Sequence, residues 1–174
     1  SFGAYSVLAA LAYTPDFFQV GFAGAPPHDI GRSAKYYYRF TKQKNQYQRE
    51  YFMKQLVVDW DDKALMAQHY ARSPAAHAKH IKKPLIMWAG QNDRRVFITD
   101  VKDYALTVED MWKNVSLFID PKAMHSPSSR LGMYAYQYLL EKTLSDHIGG
   151  ELAPINPIKD KKLWRFLNKN MAID

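Results

Sequence analysis

A hydroxyl, a carboxylate and an imidazole are the groups of this chain whose types and order could do chemistry together: Ser1, Asp93 and His125. A serine attacks a carbonyl when a base takes its proton, and an imidazole serves as that base when a carboxylate fixes which ring nitrogen carries hydrogen. Ser1 is followed by Gly3 and then by an apolar run with the look of a helix. Ser-x-Gly entering a helix is the second half of the Gly-x-Ser-x-Gly turn, in which a nucleophilic serine stands on a cramped strand-to-helix corner and a side chain at the glycine would collide with backbone. Each residue also has a plainer reading. A lone Ser-x-Gly recurs by chance, Asp93 could pair with Arg94 or Arg95, and His125 could be a surface imidazole. What raises the chemical reading is that the three occur in one order at places where strands should end.

Those places follow from hydrophobic patterning. Residues 2–13 carry small and apolar side chains on every face, as a buried helix does. Residues 17–24, FFQVGFAG, read as a short apolar strand closed by the turn-rich 25–29. Residues 31–70 turn polar and aromatic, with helices of undefined bounds, and read as an insertion over a sheet rather than a layer of it. The run 81–90, IKKPLIMWAG, has the form of a central parallel strand with proline near its start. A helix is expected at 98–112, a strand at 115–119, and a long helix at 127–147 that stops at Gly149-Gly150. The remainder, 150–174, reads as a tail with a proline-containing linker and a short basic helix near Leu163 to Leu167. Helices alternating with strands predict an α/β fold, a parallel sheet covered by helices with right-handed crossovers. The loops 91–96 and 121–126 then leave the carboxyl ends of neighbouring strands, where such sheets gather ligands and reactive groups.

Composition bounds the alternatives. With 174 residues, 47% hydrophobic and 24% charged, the chain is long enough for one folded domain burying roughly 70% of its unfolded surface, and neither disorder nor a fibrous repeat is indicated. No window offers the ~20 uninterrupted apolar residues of a membrane helix, so no membrane partner is expected. Cysteine is absent, which excludes disulfides, thiolate nucleophiles and cysteine-bound zinc while leaving the compartment open. The net charge of +7 is scattered, with concentrations at 79–83 and 159–162, and reads as a solvated basic surface with no nucleic-acid motif around it.

The motifs together resemble the C-terminal part of the catalytic domain of the prolyl oligopeptidase family of serine peptidases, an α/β-hydrolase fold. Ser1-Phe2-Gly3-Ala4-Tyr5 stands for that family's Ser-Tyr-Gly-Gly-Tyr, FFQVGFAGAP for the strand after the elbow helix, and Ala71-Arg72-Ser73-Pro74 precedes Ile81-Lys82-Lys83-Pro84. A strand ending in Gly90 with Asp93 and Val96, and finally His125, completes the pattern, which runs to about Gly149. The resemblance implies Ser1 as nucleophile, His125 as general base and acid, Asp93 as the group orienting the imidazole, and the Phe2 backbone N–H as one oxyanion donor. It implies a peptide substrate, and neither a cofactor nor a metal. It also implies a catalytic unit at 1–149 whose earlier strands, second oxyanion donor and any propeller domain lie in an N-terminal part outside this chain. A sheet edge left open there invites pairing with a second copy, a homo-oligomer. Phe2 for Tyr, Ala4 for Gly and Met124 for Gly or Glu depart from the family pattern without removing a triad atom. An esterase is the alternative among enzymes, and a non-catalytic fragment is the alternative for the chain alone.

Two further constellations are weaker. His77-x-x-His80, with His69 nearby, has the spacing of a metal pair on one helix face but no acidic partner close in sequence. Tyr36-Tyr37-Tyr38-Arg39-Phe40, with Lys42 and Lys44, could stack bases beside phosphates; in the context of the resemblance a wall of the substrate cleft or a packed cap is expected instead.

Overall fold

A computed structural model of the chain describes residues 1–40, 46–112 and 114–174. In chain order the elements are α1 (Phe2–Tyr13), β1 (Gly21–Gly24), α2 (Ile30–Phe40), α3 (Gln46–Gln55), α4 (Lys63–Ala71), a 3₁₀ turn (Ala78–His80), β2 (Leu85–Gly90), α5 (Ile98–Trp112), β3 (Val115–Asp120), α6 (Arg130–Ile148), α7 (Lys161–Asn170) and β4 (Met171–Ile173). The strands form one sheet in the order β1-β2-β3-β4. β1, β2 and β3 run parallel, with Gly21 opposite Leu85 and Gly90 opposite Asp120, while β4 returns antiparallel with Ile173 opposite Leu117.

Both faces of the central strands are covered, which is why their sequences read as unbroken apolar runs. Leu85, Met87 and Ala89 of β2 and Val115, Leu117 and Ile119 of β3 pack with Leu8 and Leu11 of α1, Ile81, and Val101 and Val108 of α5. Trp88 and Phe118 point the opposite way, as side-chain alternation requires, into a second cluster with Ala135 and Leu139 of α6 and Leu167 of α7.

Several boundaries differ from the patterning. β1 begins only at Gly21, because the chain leaves α1 through a turn in which the Phe17 N–H bonds the Thr14 carbonyl, leaving Phe17 78% exposed. β2 begins at Leu85 rather than Ile81: Pro84 has no N–H to give a ladder, and its carbonyl accepts from Gly21. α6 starts at Arg130, where the Ser129 hydroxyl caps the helix by accepting from the Gly132 N–H at 2.9 Å. The sheet is mixed rather than wholly parallel. β4 is three residues long, too short for a periodic signal, and is held by β3 after α7 brings the chain back beside it. α1 buries one face, through Ala4, Leu8, Leu11 and Ala12; Phe2 and Tyr13 remain exposed.

Candidate active site

The carboxyl ends of β1, β2 and β3 lie at one edge, since the register pairs Gly24 with Trp88 and Gly90 with Asp120. Ser1 stands at that edge as the residue before α1. Its carbonyl accepts from the N–H groups of Ala4 and Tyr5 at 2.8 and 3.0 Å, and its amino group donates to the carbonyl of Gly24. Phe2 opens α1, at the end of a helix where backbone N–H groups lack partners within the helix.

The loop after β2 turns Asp93 inward. Oδ1 of Asp93 accepts from the backbone N–H groups of Arg95 at 2.7 Å and Val96 at 3.1 Å, closing a tight turn before α5. Oδ2 accepts from Nδ1 of His125 at 2.8 Å, with the carboxylate 1% and the imidazole 18% exposed. This fixes the tautomer: with Nδ1–H committed to Asp93, the neutral ring presents Nε2 as a bare acceptor. The bond crosses 32 residues of sequence.

Asn92, which no motif singled out, and Gly90, read from the sequence only as the end of an apolar strand, hold the loops together. Asn92 donates its backbone N–H to the Ala123 carbonyl at 2.9 Å and its side-chain amide to the Pro121 carbonyl at 3.1 Å. Gly90 lies under the same segment, and a Cβ there would overlap the Met124 carbonyl oxygen and stand 2.7 Å from that of Ala123. The glycine that closes the apolar run is therefore a close-approach position.

His125 and Ser1 share a cleft of about 210 Å³, together with Gly24, Trp88, Ser126 and Tyr136. No hydrogen bond joins the Ser1 hydroxyl to His125 among the described residues; the two meet only as walls of this cleft.

The other candidates go elsewhere. Nε2 of His69 bonds the Val57 carbonyl at 2.7 Å and Nε2 of His77 the Ala71 carbonyl at 2.8 Å. His80 faces His77 with ring centroids 5.5 Å apart, and among the described residues no group of three His, Cys, Asp or Glu side chains could hold a metal ion. In the aromatic segment the Tyr36 ring meets Phe97 edge-on at 6.2 Å under the Arg32 guanidinium, and Tyr38 leans on Trp60 at 4.6 Å. Tyr36, Arg39, Phe97 and Thr99 line an apolar hollow of about 340 Å³ beyond the Asp93 loop. Lys42 and Lys44 lie outside the described residues.

A buried polar cluster that no motif announced follows β1. His28 stacks on Tyr104 with ring centroids 5.0 Å apart, and Arg32 pairs with Asp100 at 2.9 Å, joining α2 to α5. Burial, with the positive charge of Arg32 adding to it, pushes the His28 imidazole down to about 4. Its residues are scattered over 77 positions or are unremarkable singly, so the only signal in the sequence would have been His28-Asp29 at a strand end.

The model of the prolyl oligopeptidase family matches residues 1–145, which include Ser1, Asp93 and His125. The chain belongs to the prolyl oligopeptidase family. Among curated proteins, dipeptidyl peptidase family member 6 of Caenorhabditis elegans is 24% identical over 164 residues, 90% of this chain and 21% of that protein. Among solved structures, acylaminoacyl peptidase of Pyrococcus horikoshii matches with a TM-score of 0.69 at 18% identity, across 94% of this chain and 25% of that one. An esterase of Pyrococcus furiosus matches at 0.65 and 18% identity, across 86% of this chain and 52% of that one. The prolyl oligopeptidase-family chain therefore has the α/β-hydrolase architecture of the two solved structures over a quarter to a half of their lengths, and it spans about a fifth of the curated relative. α7 and β4 lie beyond the matched segment.

Proposed function

We propose that this chain carries the catalytic residues of a serine peptidase working through an acyl-enzyme. The observation that carries the reading is the buried Asp93–His125 hydrogen bond, whose imidazole borders the cleft that also holds Ser1. In this reading Nε2 of His125 takes the Ser1 hydroxyl proton as Oγ attacks the peptide carbonyl carbon. The resulting oxyanion is held by the Phe2 N–H and a second donor. His125 returns the proton to the leaving nitrogen as the C–N bond breaks. Water then attacks the acyl-serine, giving its proton to His125, and the acid product leaves as Ser1 recovers its hydrogen. The hollow lined by Tyr36, Arg39 and Phe97 serves as a wall of the substrate cleft, close in sequence to Asp93.

A fluorophosphonate probe tests the assignment in the full-length protein: it should label Ser1, and undiminished labelling of Ser1→Ala would sink it. An esterase is the second reading, favoured by the structural match to the Pyrococcus furiosus esterase; parallel assays of a peptidyl amide and a simple acyl ester separate the two. For the 174-residue chain alone the reading is different. β1 pairs on one side only among the described residues, beside an apolar groove lined by Val7, Ala10, Phe18 and Val20. Such an edge is a template for a second copy. The isolated chain is expected to turn over neither ester nor amide and to associate, and robust turnover by a purified monomer would refute that.

A further inference from the structure

Asp120, the last residue of β3, is 1% exposed at the point where the loop carrying His125 begins. Its Oδ1 accepts from the backbone N–H groups of Lys122 at 3.0 Å and Ala123 at 3.2 Å. Its Oδ2 is buried and has no hydrogen-bond partner among the described residues. That oxygen lies against Gly132 in the first turn of α6, so close that a Cβ on Gly132 would overlap it. One carboxyl group thus touches both ends of the segment that presents His125: the 121–123 turn by hydrogen bonds, and the start of α6 by packing.

Closing a turn does not by itself require burial. Aspartate and asparagine do so at the surface, where water serves the second oxygen, and sinking a carboxyl costs free energy. The location asks for another reason. Among the described residues the hydrogen bonds that join the His125 loop to the Asp93 loop through its backbone fall ahead of the imidazole, at Asp120 to Gln91 and at Pro121 and Ala123 to Asn92, and the carbonyls of Ala123 and Met124 lie close over Gly90. Those ties meet their partners only if the turn has the shape that Asp120 imposes. The burial also protects the two N–H bonds from competition with water.

We propose that Asp120 is a positioning residue for His125, setting the loop so that Nδ1 meets Asp93 and Nε2 faces the Ser1 cleft. The proposal rests on the reading of His125 as the base, but its test does not need turnover. In the 174-residue chain, ¹⁵N shifts of the His125 ring report which nitrogen carries hydrogen at a pH where the ring is neutral. The Nδ1–H form is expected, held by Asp93, whereas free imidazole side chains favour Nε2–H. Asp120→Ala removes both acceptors and is expected to release the ring to the Nε2–H form. Asp120→Asn retains an acceptor oxygen for Lys122 and Ala123 and is expected to keep Nδ1–H. Gly132→Ala should stabilise an ordinary helix, yet here its methyl displaces Oδ2, so release of the ring is expected again. Retention of the Nδ1–H form in folded Asp120→Ala overturns the proposal. If that variant does not fold, retention in Gly132→Ala overturns it and release supports it. Loss of probe labelling at Ser1 in full-length protein with the wild-type ring signature intact would overturn the triad reading and leave the role of Asp120 standing.

Discussion

Asp93 and Asp120 close the same turn at the ends of neighbouring strands. Oδ1 of each accepts from the N–H groups two and three residues ahead, Arg95 and Val96 in one case and Lys122 and Ala123 in the other. They differ in the second oxygen: that of Asp93 accepts from His125, and that of Asp120 packs on Gly132. The comparison separates what a residue does for the fold from what it does for the proposed chemistry. Both carboxyls shape a loop, and one of them also orders an imidazole.

Isosteric amides break the comparison most strongly. In Asp93→Asn the side-chain oxygen can still serve the turn, but the amide now presents N–H to Nδ1 of His125 and selects the tautomer with hydrogen on Nε2. The full-length protein is expected to lose roughly 10³–10⁴-fold in kcat or probe-labelling rate with its melting temperature little changed. Asp120→Asn, the same change in the same turn, should leave the rate within roughly tenfold, about 1.4 kcal/mol. Equal losses in the two variants would show that the second oxygens are not what distinguishes them.

The glycine beneath both loops comes next. Gly90→Ala sets a methyl group against backbone carbonyls of Ala123 and Met124, atoms that cannot swing aside as a side-chain tip would. A loss of about 3 kcal/mol or more in urea unfolding is expected. A loss under ~1 kcal/mol would show that the His125 loop moves freely over β2, and so would weaken the case that either aspartate holds it rigidly.

How much of this was legible beforehand divides along the same line. Ser1, Asp93 and His125 could be picked out as candidates because their order and their positions at strand ends are sequence properties, and because the surrounding Ser-Pro, Lys-Pro and Gly-x-x-Asp-x-x-Val pattern resembles one family; the structure joins the last two by a hydrogen bond. The strands β2 and β3 and the helices α5 and α6 could be read because burial on both faces or on one stripe leaves a periodic trace. What could not be read depends on partners distant in the chain. Nothing in FFQVGFAG says that Phe17 belongs to a turn, and MAI is a strand only because α7 delivers it to β3. Asp120 carries no signal of its own in the sequence, because Gly132, on which it packs, stands twelve residues later in a helix.

The end of β1 extends the comparison to a third aspartate, and here the sensitive group is its neighbour. Oδ1 of Asp29 accepts from the Arg32 N–H at 3.1 Å at the start of α2, while His28 is buried among Arg32, Asp29, Asp103 and Tyr104. Because the folded imidazole titrates at about 4 against an ordinary 6.5, the unfolded chain takes up the proton first as pH falls. Stability from this group is therefore intact above about pH 6.5, declines between there and about pH 4, and levels off below, a total on the order of 3 kcal/mol. His28→Phe keeps a ring against Tyr104 and should flatten that stretch of the urea-midpoint profile. An unchanged acid limb would place the sensitivity elsewhere than at His28.

The smallest effect is the most discriminating about how the two loops are joined. Asn92 makes two bonds to the His125 loop, one through its backbone and one through its exposed side chain, and substitution touches only the second. Asn92→Ala is expected to cost about 0.5–1 kcal/mol in urea unfolding, the worth of one hydrogen bond at the surface. Because the backbone bond to Ala123 and the Asp120 turn both remain, the labelling rate at Ser1 should stay within about tenfold of wild type. If the rate instead falls about as far as in Asp93→Asn, roughly 10³-fold or more, the register of His125 is set across the loops from Asn92 and not from beneath by Asp120.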